Sequence, residues 1–297
     1  MKRIQGILAV FIGAASFGIL STFVKKAYAA GFTLGEVTGV QAMIGMIILW
    51  VIFLLLKLKK TDFTTYSRKT PVWKIITAGT STGLVSIVYY KCVELVPASI
   101  AIVLLMQFIW ISALINFVVF KQKPTKKQAI GILLILGATL LATGALESSI
   151  QQLSFVGIAY GLLAAFLYAI FIIVNGKVGN DYPPVQKSAL MITGAFLIVF
   201  ILLHPISLFQ GSTDTQIFNY GLLLASFGTV LPPLLFAYGM PKIEIALGSI
   251  LSAVELPVAV AMSSFVLHEN VSAIQWLGVA MILAIVVWTN YKKRLKL

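Results

Sequence analysis

One carboxylate stands apart from the rest. Of the nine acidic residues, Glu36, Asp62, Glu94, Glu147, Asp181, Asp214, Glu244 and Glu269 fall in connections or at the ends of apolar runs, and only Glu255 lies in the middle of one. A charged carboxylate at the centre of a membrane-crossing helix costs on the order of 2.5–3.5 kcal/mol, so such a residue faces a cavity or the interior of a bundle. Helical spacing puts Gly248, Leu251, Ser252, Ala259 and Met262 on its face. That face is small and mildly polar, unlike a lipid-facing stripe. A carboxyl taken out of water accepts a proton readily, which makes Glu255, with Ser252 beside it, a candidate proton carrier or ligand for an amino group. The competing reading is a structural Glu, steadied by a neighbouring Ser, Tyr or amide. Pro257, two residues on, has no N–H to donate, so a carbonyl about four residues earlier loses its partner. A helix break there could line a water-filled cavity.

Other polar groups within apolar runs are weaker candidates. Gln107 and Trp110 share a helical face, as do Ser112 and Asn116; each pair could contact a substrate or simply join helices. Gln41 and Tyr168 are cavity candidates because they are polar within apolar runs. Thr80, Ser81, Thr82, Ser86, Tyr89 and Tyr90 cluster in one run, and Thr229, Pro232, Pro233 and Tyr238 in another. Consecutive prolines predict a kink. Tyr89, Tyr90 and Tyr238 lie near the ends of their runs, which favours interfacial anchoring. Gly157, Gly161 and Ala164, like Ala9, Gly13 and Ser16, make small-residue stripes that suit close helix packing. His204 and His268 stand at run ends. No Ser/His/Asp set, zinc motif or phosphate-cradling loop is present. With one cysteine, Cys92, and two His, neither a disulfide framework nor a metal site is expected, and no cofactor is implied.

The elements that must position these groups follow from hydropathy. The 297 residues are 60% hydrophobic and 10% charged, with mean hydropathy +1.01. A soluble surface needs roughly 25% charge, so the solvent is lipid. The net charge of +13 does not indicate nucleic-acid binding, because the Lys and Arg sit in short clusters between apolar runs. A crossing helix takes about 20 apolar residues. Ten such runs are present, at approximately 4–24, 37–56, 72–90, 97–120, 128–146, 155–174, 185–204, 217–238, 244–267 and 272–290. Met1-Lys2-Arg3 and the run after it look like a signal peptide, with Ala27 to Ala29 mimicking a cleavage site. The run has the length of a full crossing and is read as an uncleaved first helix. If the N-terminus is cytoplasmic, every Lys and Arg except Lys25, Lys26 and Lys91 falls on the inside. That skew obeys the positive-inside rule and predicts a multi-pass protein of the cell membrane with both termini cytoplasmic.

The chain also repeats. Ala98 to Thr143 resembles Ala246 to Thr289 in layout, with Gly131 matching Gly278 at an offset of 147. The expectation is an all-α integral membrane protein of ten transmembrane helices in two five-helix repeats, 1–147 and 155–297. Five is odd, so the second repeat must be inverted in the membrane. Inverted repeats commonly hold a transport site at their interface.

Three stretches carry a resemblance: Glu255-Leu256-Pro257-Val258, Leu267-His268-Glu269 and Gln275-Trp276-Leu277-Gly278. Together they resemble the second half of an EamA-type transporter of the drug/metabolite transporter superfamily. The likeness covers the whole chain in layout. His268 stands where that family often has Gly, Gln107-Phe108 where a carboxylate motif could have recurred, and Gln41 where it often has Arg. The resemblance implies transport of a small metabolite, such as an amino acid or related compound, with export the favoured direction. Energy would come from a gradient, protons being one candidate, since no nucleotide motif is present. A non-transporting accessory or scaffold protein is the alternative. A membrane-embedded enzyme would need at least two convergent catalytic groups at depth, and the sequence offers one ionisable residue there. Oligomeric state is left open.

Overall fold

The computed structural model describes residues 2–59, 63, 66–121, 126–142, 154–209, 214–243 and 245–290. The expected seam between the halves, 147–154, lies outside these except for Ser154, as do most of the polar turn after Lys121 and the side chain of Asn116. All regular structure among the described residues is helical. Six helical stretches are long and apolar enough to cross a membrane: Arg3–Ala29, Leu34–Leu58, Ala98–Val119, Phe155–Lys177, Pro184–Leu203 and Gln216–Lys242. Large apolar side chains such as Leu58, Leu133, Phe155, Ile201 and Phe265 are exposed, as a surface in contact with lipid requires.

The first apolar run is two helices, α1 (Lys2–Phe17) and α2 (Leu20–Ala29), interrupted at Gly18-Ile19. Next comes α3 (Leu34–Leu58), which opens on a capping box. Thr33 Oγ1 accepts from the Glu36 N–H, and the Glu36 carboxylate accepts from the Thr33 N–H at 2.8 Å. Helix α4 (Val72–Leu95) runs between Pro71 and Pro97. The fourth run is α5 (Ala98–Leu105) and α6 (Phe108–Phe120), and the fifth is α7 (Lys126–Ala142). Helix α8 (Phe155–Lys177) is capped by Ser154, and α9 (Pro184–Leu203) ends at His204, whose φ of 44° precedes Pro205. The eighth run is α10 (Gln216–Leu224), a π-helical turn (Ala225–Val230) and α11 (Leu231–Gly239). The ninth is α12 (Ile245–Ser252) and α13 (Glu255–Val266), and the last is α14 (Ala273–Asn290).

The proline-based expectations need adjustment. Pro232 and Pro233 occupy the first turn of α11, where a missing N–H costs nothing. The disruption sits just upstream, where the Leu231 N–H reaches back five residues to the Ser226 carbonyl and Ser16 Oγ donates to the Phe227 carbonyl at 2.6 Å. Pro257 likewise lies inside the first turn of α13, and the break falls before it, at Ala253-Val254. An identical break occurs at Met106-Gln107, which is 147 residues earlier. There the position of Pro257 is taken by Trp110. Proline is therefore compatible with this break and does not cause it.

Packing between helices follows a two-fold pattern. Helix α4 packs on α9 and α8; in the other half α10, α11 and the π-turn pack on α3 and α1. Helices α5 and α6 lie on α8, and α12 and α13 lie on α1, while α3 meets α9, α5 meets α13 and α7 meets α14. Taken run by run, exchanging the halves leaves this set unchanged, although the fourth and ninth runs meet through α5 and α13, which are not each other's counterparts. The small-residue stripes serve these contacts. Gly161 faces Leu104, and Gly13 faces Phe236. Closest of all is the α4–α9 crossing. A Cβ on Gly79 would strike the Met191 backbone, and one on Gly194 would strike the Ile76 backbone.

Polar ties gather at the two ends of the bundle. At one, Thr70 donates to Asp181 through its N–H (2.7 Å) and Oγ1 (2.6 Å), Tyr182 Oη donates to the Thr70 carbonyl (2.9 Å), and Tyr238 Oη bonds to Gln5 (3.0 Å). At the other, Lys25 Nζ caps α4 through the Val93 and Val96 carbonyls (2.7 and 2.8 Å). There too Glu269 caps α5, accepting from the N–H groups of Ala98 (2.8 Å) and Ser99 (3.1 Å) and from Ser99 Oγ (2.7 Å).

Candidate functional site

A cavity of about 60 Å³, counted as the space open to the centre of a water molecule, lies inside the bundle. One water needs roughly 10–15 Å³ on that measure, so there is room for several waters or a small head group. Both halves line it. From the first come Phe17, Leu20, Thr38, Gln41, Thr82, Ser86, Tyr89 and Tyr90, and from the second Tyr168, Phe171, Val199, Gly228, Thr229 and Glu255. Gly83 and Ala195 mark its boundary beside the tight α4–α9 crossing. The lining residues of α3 lie near its N-terminus and those of α4 run from its middle toward its C-terminus, which places the cavity between the centre of the bundle and the end that Lys25 and Glu269 tie together.

Glu255 is placed by the break in its own run. Its carboxylate begins α13, is 1% exposed and accepts a hydrogen bond from Tyr168 Oη on α8. Tyr168 in turn is held among aromatic rings, with Phe108 edge-on at 4.8 Å and Phe171 stacked at 5.4 Å between centroids. The 147-residue offset puts Phe108 at the place of Glu255 in the other half. The ring of one half therefore packs against the tyrosine that holds the carboxylate of the other. Among the described residues the one salt bridge is Lys91–Glu94, outside the cavity, so Glu255 has no cationic partner. A buried carboxylate without one must take a proton or recruit a cation.

A second polar group crosses the cavity. Gln41 on α3 accepts from Tyr90 Oη of α4 at 2.7 Å and donates to Thr229 Oγ1 of the π-turn at 2.9 Å. Three elements are thereby joined through one buried amide. Where the resembling family often has Arg, this chain has a neutral bridge whose hydrogen bonds are already made. Tyr89 Oη lines the cavity within electrostatic reach of Glu255 and beside Ser21, and neither hydroxyl makes a hydrogen bond of normal geometry among the described residues.

Of the residues singled out by sequence, Glu255, Tyr168 and Gln41 meet in this cavity. Ser252 is fully buried next to Tyr168, one turn before Glu255. Thr229 lines the cavity while Pro232 and Pro233 follow it. Gln107 and Trp110 are elsewhere. Trp110 Nε1 donates to Gln107 Oε1 at 3.0 Å, and Gln107 Nε2 donates to Thr139 Oγ1 of α7 at 2.9 Å. That pair fastens α5 and α6 to α7 and takes no part in the cavity. Tyr89 and Tyr90 are not interfacial anchors; they are 6% and 1% exposed and face the cavity. A signal for this exists in the sequence, because Thr82, Ser86 and Tyr90 recur every four residues and so share one face of α4. Tyr238, partly exposed and bonded to Gln5, does sit at a helix end. No cluster of His, Cys, Asp and Glu able to hold a metal occurs among the described residues.

Comparison with known proteins agrees with this architecture. A solved crystal structure of a protein with 13% sequence identity superposes with a TM-score of 0.68, over 95% of this chain and 96% of its own. The likeness shows a shared fold. Uncharacterized transporter YcbK of Bacillus subtilis is 22% identical over 97% of this chain and 93% of its own. Uncharacterized transporter sll1319 of Synechocystis sp. is 20% identical over 98% and 94%. The EamA-like transporter family matches twice, over residues 4–144 and again over 155–291. Two matched halves, a helical bundle of apolar exterior and a cavity built from both halves lead to one assignment: the chain belongs to the EamA-like transporter family.

Proposed function

We propose that this protein is a secondary transporter of the cytoplasmic membrane. It moves a small metabolite, an amino acid or related compound, outward by alternating access between two inverted five-helix repeats, 1–147 and 155–297. The observation that carries this reading is the pairing of Glu255 with Tyr168 in a cavity to which both halves contribute. Glu255 exchanges a proton or binds the amino group of the cargo, Tyr168 orients it, and Gln41 sets the opposite wall. No catalytic role is assigned: among the described residues the lining holds one carboxyl and tyrosines, with no second carboxyl, Lys, His or Cys beside them.

Ten crossings with both termini cytoplasmic fit the same picture. The ties of Thr70 to Asp181 and of Gln5 to Tyr238 each join segments that the charge pattern assigns to the inside. The tie of Glu269 to Ser99 joins segments assigned to the outside. A miscounted crossing would pair loops from opposite faces. The test is counterflow in proteoliposomes, screening amino acids, amines and nucleosides with and without a pH gradient. The Glu255→Gln variant is expected to lose both rate and pH dependence. Unchanged rate and pH dependence in that variant would remove the carrier role, and no counterflow of any compound would favour an accessory protein.

A further inference from the structure

The charges that a cavity lacks select its cargo as firmly as those it contains. Among the described residues Glu255 is the one lining residue with a formally charged side chain, and no Lys, Arg or His lines the cavity. The titratable groups packed against it are tyrosines, Tyr168 from α8 and Tyr89 from α4, while α12 offers Ser252 and α1 offers Phe17. Tyr168 occupies Oε1, and Oε2 accepts no hydrogen bond among the described residues. Every other hydrogen-bond donor of the lining is a neutral group, and among these Tyr89 Oη and Thr82 Oγ1 have no hydrogen-bond partner among the described residues. Gln41 Nε2 is given to Thr229 and Tyr90 Oη to Gln41. A cargo ammonium thus finds an open carboxylate oxygen, whereas a cargo carboxylate finds no cation, only neutral donors, and the repulsion of Glu255. The rings of Phe17, Tyr168 and Phe171 line the same cavity, at 5.4 to 6.3 Å between centroids, and aromatic faces attract cations.

We infer that the cavity takes a small monocationic amine that carries no carboxylate, bound by its ammonium group to Glu255. This rests on the cavity being the transport site. It narrows the cargo from amino acids in general to their amine relatives. An ammonium and a proton are then alternative partners for the same carboxylate, so acidity weakens amine binding.

The test uses four compounds on one four-carbon chain: n-butylamine, 4-aminobutyrate, butyrate and 1-butanol. Binding to the purified full chain is measured by isothermal titration calorimetry at pH 7.5 and 5.5, and counterflow is measured in proteoliposomes. Butylamine is expected to bind at least about tenfold more tightly than the other three and more weakly at pH 5.5. Glu255→Gln is expected to bring the amine to within about threefold of the alcohol, while Glu255→Asp keeps the amine first. Thermal unfolding checks that each variant is folded. If Glu255→Gln fails to fold, the order of the four compounds and its pH response in the unmodified protein decide. Equal or tighter binding of 4-aminobutyrate or butyrate, no binding of butylamine, or an amine preference that survives in folded Glu255→Gln overturns the inference. The two readings fail separately. Favoured binding and counterflow of 4-aminobutyrate leaves a transporter with a different cargo. The predicted binding order without counterflow of butylamine leaves an amine site without transport.

Discussion

Removing the Glu269 carboxylate should loosen one end of the bundle by an amount its contacts define. Glu269 comes from the connection between α13 and α14 and reaches the first turn of α5 in the opposite half. It accepts from two N–H groups that no helical carbonyl can satisfy, those of Ala98 and Ser99, and from Ser99 Oγ. Losing a neutral cap costs about 1 kcal/mol, and an ionised acceptor roughly doubles each bond. A negative charge at a helix N-terminus adds about 0.3–1 kcal/mol. Against this, water at this end of the molecule can serve the freed N–H groups. The expected net loss for Glu269→Ala is about 2 kcal/mol, and about half that for Glu269→Gln, which keeps an acceptor but not the charge. Ser99→Ala removes one bond at about 1 kcal/mol. The assay is reversible unfolding in detergent micelles of both single variants and the double variant. The Glu269–Ser99 coupling should be about 1 kcal/mol. If Glu269→Ala changes stability by less than about 0.5 kcal/mol, or if the two losses are simply additive, the cap does not hold the halves together.

Other consequences can be checked alongside. Gln41→Leu breaks the links to Tyr90 and Thr229; at about 0.6 and at most about 1.7 kcal/mol per interhelical bond, melting should report a loss of about 1–3 kcal/mol together with slowed counterflow. Gln107→Leu, which loosens α7 but leaves the cavity intact, should lower stability without altering the pH dependence of transport. Burial pushes the Asp181 carboxyl up, but the hydrogen bonds from Thr70 outweigh this and hold it below the usual range. The stabilisation is complete above the unfolded value of about 3.9 and is lost as pH falls below it through the depressed folded value. A melting curve taken against pH should therefore drop at acid pH in the natural protein and drop less in Asp181→Asn. Gly194→Val forces α9 away from the Ile76 backbone, and overpacking of about 1–3 kcal/mol should appear as a lowered melting temperature.

Much of this was legible in the residues, though unevenly. Apolar runs located the helices because lipid imposes length and composition together. Glu255 was legible because a charge at depth has so few tolerable settings. Pairing was not. Gln41 and Gln107 are the same amide in similar apolar runs, and only neighbours from distant segments make one a wall of the cavity and the other a strut to α7. Hydroxyls were equally ambiguous, since Ser86 and Thr139 return their hydrogen bonds to their own helices. Tyr89 and Tyr90 were misplaced because distance from the end of an apolar run was taken as distance from water, whereas α4 continues to Leu95. Pro257 marked the neighbourhood of a break whose cause is shared by both halves, one of which has no proline there.

The α4–α9 crossing has a consequence for leakage. Where backbone lies against backbone at Gly79 and Gly194, no side chain stands in the seam to rotate aside. Rotamer flips on picosecond to nanosecond timescales therefore cannot open a water wire there. Parting the seam requires two whole helices to move, a collective event on the microsecond-to-millisecond scale. Under the proposed alternating access the glycines would act as electrical insulation, keeping ions from slipping through between turnovers while leaving these two contacts free of interlocked side chains that would have to disengage when the seam parts.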